Sequence, residues 1–195
     1  ALIAIQEEDE EAANELIDKL AQVAPEHKYL LDLSIARQSN LDYGALKEAR
    51  FLAANGEPER AIQKYETLFT GDVPPANLTV EYYSVLSATD DGWETAKDGL
   101  AKFARENPDN TYAAVAYGEV LTYSETSRRA GIKLLSNYAQ RAPEADKAWR
   151  NALLWLGATE GDKPIYDAYM QTHSDDNEVA AYFEDKTKLS GAQQA

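Results

Sequence analysis

The sequence predicts an all-α solenoid: a right-handed superhelix of stacked helix pairs, with one extra unpaired helix near residues 27–37. Three observations predict it. Ala61 and Ala96 stand 35 residues apart, each followed at +4 and +7 by apolar residues, Tyr65 and Leu68, then Leu100 and Phe103. Pro108 and Pro143 are also 35 apart, each closing one helix-like stretch and opening the next. Between these landmarks the apolar residues recur at helical spacing, and no segment shows the alternation of a strand. A helix pair of this size cannot bury its apolar face alone, so the units must stack into an extended surface.

A unit of about 35 residues with a small-x₃-aromatic step and a terminal proline is the tetratricopeptide signature. Residues 7–25 make a partial repeat, with Ala13, Leu16, Ile17, Leu20 and Val23 on one helical face, ending at Pro25. The acidic opening, Glu7 to Glu11, sits where a helix dipole favours negative charge. From Ala13 to Ala61 is 48 residues, one repeat plus about 13, which is long for a loop and right for an extra helix at 27–37. That helix is expected to redirect the superhelix near residues 26–40 and to act as a hinge. Asn40 or Asp42 can cap the helix that follows.

Four full repeats come next, at 41–70, 75–106, 109–141 and 144–173, with turns at Gly56, at Asp90-Asp91-Gly92 and at Gly161. A terminal helix at 176–189, capped by Ser174 or Asp175, ends in a tail expected to fray. The chain reads as a single solenoid fragment of a longer protein, since it lacks an initiator Met and begins inside a helical pattern.

Small residues at Ala61, Ala96 and Gly131 let the two helices of a repeat cross closely, where a larger side chain would overpack. The fourth repeat has Ile165 or Tyr166 there, which predicts looser packing. Pro108 and Pro143 punctuate the repeats, and Trp149, Leu153 and Leu156 fill large apolar positions. Trp93 should wedge against the preceding helix. Tyr65, Tyr82, Tyr117, Tyr138 and Trp155 are read as interhelical packing. The first helix of each pair lines the concave groove of such an array. By register the candidate contacts there are Tyr43, Arg50, Glu81, Val85, Tyr112, Glu119, Tyr123 and Arg150.

Composition narrows the partners. A net charge of −15 argues against nucleic-acid phosphates and anionic membranes, and no stretch has the length of apolar residues that a membrane helix needs. With no cysteine, disulfides and thiolate metal sites are excluded. His27 and His173 lie far apart without zinc-ligand spacing, and His173-Ser174-Asp175-Asp176 falls at a helix junction where capping explains it. The sequence contains neither a Gly-rich phosphate loop nor a nucleophile motif, so it predicts a non-enzyme with no cofactor and no metal.

Several strings go beyond the repeat consensus. They are Leu68-Phe69-Thr70-Gly71-Asp72-Val73-Pro74-Pro75, Val80-Glu81-Tyr82-Tyr83, Gly92-Trp93 with Ala96, and Leu121-Thr122-Tyr123. Further on come Arg128-Arg129-Ala130-Gly131-Ile132-Lys133-Leu134-Leu135 and Ala148-Trp149-Arg150 with Leu153-Leu154-Trp155-Leu156. From about Leu41 to Ala180 the chain resembles the tetratricopeptide region of the cellulose synthase operon protein C family of bacterial cellulose export subunits. The resemblance implies a non-catalytic periplasmic scaffold joining an inner-membrane synthase to an outer-membrane pore. It further implies contacts with other cellulose synthase subunits, with the glucan chain or with peptidoglycan, and a C-terminal outer-membrane β-barrel in the whole protein. A peptide-binding adaptor and a carbohydrate-binding groove are the alternatives.

Overall fold

In a computed structural model, residues 10–23, 42–69 and 73–192 are described. Their regular elements are all helices, with no strand among the described residues. The proposed helix at 27–37 and its hinge lie outside the described residues. The described residues group into two units, one up to Leu78 and one from Thr79.

The first unit holds α1 (Glu10–Val23), α2 (Tyr43–Ala54) and α3 (Pro58–Glu66). Asp42 starts α2 by accepting the Ala45 N–H on its carboxylate at 3.0 Å, satisfying one of the orphan donors of a helix start. Gly56 has φ 75° in the turn to α3, a conformation that costs any other residue steric strain, and Pro58 opens α3 with its fixed φ. Ala61 is wholly buried with Leu46, Ala49 and Tyr65, and Lys64 bridges to Glu48 at 2.9 Å.

The second unit holds α4 (Thr79–Leu86), α5 (Trp93–Glu106), α6 (Thr111–Thr122), α7 (Glu125–Ser136), α8 (Pro143–Trp155), a 3₁₀ turn at Glu160–Asp162, α9 (Lys163–Met170) and α10 (Asn177–Ala192). Helix α4 starts four residues later than Pro75, because Leu78 N–H donates to the Pro75 carbonyl at 2.8 Å and closes a turn first. Helix α7 ends at Ser136, where bonds such as Asn137 N–H to Leu134 O tighten the chain into turns up to Arg141. Helix α8 stops at Trp155 because Leu156 takes extended angles. Asp176, in place of Ser174 or Asp175, caps α10, its carboxylate accepting the Val179 N–H at 3.3 Å. The helix then runs through Ser190-Gly191 to Ala192, past the end the sequence suggests.

Two apolar clusters hold this unit. Val80, Leu100, Ala113, Ala116 and Val120 join α4, α5 and α6. Ile132, Leu135, Ala148, Leu153, Tyr166 and Val179 are among the residues joining α7 to α10. Trp93 packs on the first cluster but bonds forward, its indole N–H donating to Val120 O in α6 at 2.9 Å. Gly131 is buried at the crossing of α6 and α7, where a Cβ would lie 2.6 Å from the Gly118 carbonyl and 2.8 Å from Thr122 Cγ2. At the matching place in α9 stands Tyr166, also buried, whose hydroxyl donates to Leu153 O at 2.7 Å.

Candidate functional site

Helix α6 is positioned by Asn110, whose side chain accepts the Ala113 N–H at 3.0 Å. That start places Tyr112, Glu119 and Tyr123, spaced by seven and four residues, on one helical face. Tyr112 is 54% exposed and Tyr123 44% exposed. Burial, followed by the nearby Glu119 carboxylate, raises the Tyr123 phenol above its ordinary pKa, so it stays protonated. Of the other predicted groove residues, Glu81 and Val85 are half-buried on α4, and Arg50 is half-buried on α2 in the first unit. Tyr43 opens α2, and its side chain lies outside the described ones.

Arg150 does a different job from the one its register suggests. Its guanidinium grips Asp176 at 2.7 and 3.2 Å and Glu178 at 2.6 Å, committing the fork to the start of α10. Tyr169 adds its hydroxyl to the same carboxylate at 2.8 Å. With Arg150 as the main cause, the Asp176 carboxyl is held down at about 2.

Trp155, read from the sequence as interhelical packing, does meet a ring from another helix but stays half in water. It is 50% exposed, and its ring centroid stands 6.3 Å from that of Tyr123 at 49°. The 35-residue register sends Tyr123 to Ala158, whereas the first helices of these two pairs begin only 32 residues apart, at Thr111 and Pro143. Aligning helix starts would have found Trp155, the last residue of α8, opposite Tyr123, the residue that caps α6.

The backbone beneath these rings is clamped. Arg128 Nε donates to Thr122 O at 2.7 Å and Nη1 to Trp155 O at 2.8 Å, and Glu125 pairs with the same guanidinium. Glu125 also accepts the Gly157 N–H at 3.3 Å. Nearby, Arg129 makes a two-pronged pair with Asp162 at 2.7 and 2.9 Å. Asp162 in turn accepts the Thr159 N–H at 2.8 Å and its hydroxyl at 3.0 Å. The Arg129 hydrogen bonds hold the buried Asp162 carboxyl down at about 2, against the opposing effect of burial.

Two crevices of about 460 and 400 Å³ open between α7, α8 and α9, sharing Ser136, Trp149 and Ala168. Of the predicted groove residues other than Tyr43, none lines either. Trp149 is only 5% exposed, its ring meets Tyr169 edge-on at 4.9 Å, and its indole N–H has no nitrogen or oxygen partner. Tyr169 stacks on His173 at 4.2 Å, and His173 Nε2 reaches Asp146 at 3.2 Å. Among the described residues no group of metal-ligating side chains converges and no helix is long and apolar enough to cross a membrane.

Comparison with known proteins gives one consistent answer. No protein-family model matches the chain. Over 139 residues it is 43% identical to "Cellulose synthase operon protein C" of Xanthomonas axonopodis pv. citri, covering 70% of this chain and 9% of that one. Over 144 residues it is 42% identical to "Cellulose synthase 2 operon protein C" of Komagataeibacter xylinus, covering 71% and 11%. Over 178 residues it is 28% identical to the "Cellulose synthase operon protein C" of Salmonella typhimurium, covering 89% and 15%. The chain thus spans a small part of its curated relatives' length. The crystal structure of a "flexible tandem repeat domain" of bacterial cellulose synthase superposes with a TM-score of 0.52 at 19% identity, over 98% of this chain and 79% of that one. That likeness shows the fold, an all-helical tandem repeat.

Proposed function

Since this chain is homologous to a segment of cellulose synthase operon protein C, we propose that it is a non-catalytic scaffold element of bacterial cellulose biosynthesis. In this reading it stands in the periplasm and links the inner-membrane synthase to the outer-membrane exit through contacts with other subunits of the complex. The homology over 70% of the chain is the observation that carries the reading. The side-chain chemistry agrees with it. The charged groups with the strongest perturbations, Asp162, Asp176, Arg129 and Arg150, are spent on joining one helix to the next rather than facing an open site. Stacked helical units that each contact only their neighbours make a long surface suited to bridging.

Deleting residues 79–195 from the full-length protein in a cellulose-secreting bacterium tests this. Secreted cellulose should fall sharply, while isolated inner membranes keep making glucan from nucleotide sugar. Loss of synthesis in those membranes would place the segment in catalysis and sink the scaffold reading.

A further inference from the structure

We propose that Tyr123 and Trp155 form a stacking platform for two adjacent rings of a β-1,4-linked glucan, an assignment that rests on the cellulose-synthesis reading above. The chain has three tryptophans, and two are spent on folding. Trp149 is buried in the core, and Trp93 gives its indole N–H to Val120 O. Trp155 stays half in water beside a second half-exposed ring.

The pair is built rather than incidental. Arg128 reaches the carbonyl next to Tyr123 and the carbonyl of Trp155 itself, so one largely buried guanidinium sets the spacing of the two helix ends that carry the rings. Glu125 fixes that guanidinium and also holds Gly157, two residues past Trp155. Rigid aromatics mounted on a clamped backbone lose little entropy when a ligand arrives.

The chemistry selects the ligand. A β-1,4-glucan has flat rings whose faces carry only C–H bonds and whose edges carry only hydroxyls. Two half-exposed aromatic rings, tilted 49° to each other, match the former. The exposed Glu119 carboxylate, which engages the Tyr123 hydroxyl, keeps acceptor capacity for the latter. An anionic polymer would meet Glu119 and a chain of net charge −15.

Titrating the 195-residue chain with cellohexaose, by calorimetry and by tryptophan fluorescence, tests the assignment. Saturable binding with a dissociation constant of about 1 mM or tighter is expected, with a fluorescence change that reports the exposed Trp155. Trp155→Ala and Tyr123→Ala should each weaken binding roughly tenfold, the scale of one lost aromatic contact. Arg128→Ala should weaken it with both rings still present. Helical content by circular dichroism shows that each variant is folded.

Wild-type chain that does not saturate overturns the assignment, and so does Trp155→Ala binding like wild type. A basic peptide that binds through Trp155 while cellohexaose does not would make the pair a protein-docking site and equally overturn it. Co-purification of synthase subunits with the full-length Trp155→Ala protein separates the two readings. Retained subunits with no sugar binding by wild type sink the platform alone, whereas lost subunits in the deletion protein test the scaffold.

Discussion

The third and fourth helix pairs solve one packing problem in opposite ways. In the third, α6 and α7 cross at Gly131, so close that a methyl group would meet the opposing backbone. In the fourth, Tyr166 occupies that position, and the backbones of α8 and α9 hardly approach. There a phenol bonded to Leu153 O spans the two helices, while the Arg129–Asp162 pair ties the 3₁₀ turn before α9 back to α7. What the contrast teaches is that one side-chain volume decides whether a repeat closes by backbone contact or by side chains. The second route leaves crevices, and those around Trp149 lie beside the pair that Tyr166 holds apart.

The sharpest way to break the comparison is to empty the fourth crossing. Tyr166→Ala removes a buried ring that spaces two helices and leaves Leu153 O without its donor. Truncating a buried aromatic costs about 3–5 kcal/mol, so a clear fall in the urea midpoint is expected. Should Tyr166→Ala unfold at the same midpoint as wild type, α9 must close onto α8 unaided, and the ring is no spacer.

The converse experiment fills the third crossing. Gly131→Ala introduces one methyl group, placed 2.6 Å from a carbonyl oxygen that belongs to helix backbone and cannot swing aside. The two helices must separate, at about 1–3 kcal/mol. The helix propensity of Ala over Gly offsets part of this, by up to about 1 kcal/mol. A stabilised Gly131→Ala protein would mean that the crossing relaxes freely, and the contrast between the pairs would lose its basis.

How far the sequence reveals this design depends on the range of the cause. Gly131 is legible because a small residue at a repeated position reports a local backbone requirement, as Ala61 and Ala96 do. Tyr166 breaks the pattern visibly, so the looser fourth pair can be read in advance. The Arg129–Asp162 and Arg150–Asp176 pairs cannot, because their partners are 33 and 26 residues apart and any of 34 acidic residues could serve. The exposure of Trp155, which the sequence reads as interhelical packing, is hidden for another reason. Its exposure follows from where α8 starts and stops, set by Pro143 and by the extended angles of Leu156, and a strict 35-residue register passes over it.

The polar join between α7 and the turn before α9 is also sensitive to acid. The Asp162 carboxyl is held at about 2 by Arg129, against an ordinary unfolded value of about 3.9. A depressed carboxyl stabilises the fold fully above the unfolded value and loses that contribution as pH falls through the folded one. The window therefore runs from about pH 4 down to about pH 2. Because Arg129 is itself partly open to water, the contribution is about 1–2 kcal/mol. Asp176, held low by Arg150, titrates in the same window, so wild type alone cannot assign the loss. The difference between wild type and Asp162→Asn can, because every other carboxyl is common to both. Measured by urea denaturation, that difference should be constant above about pH 5 and shrink between about pH 4 and pH 2. A difference that stays level through this window would mean that Asp162 holds its loop by geometry alone, and that the ion pair to α7 adds nothing to that join.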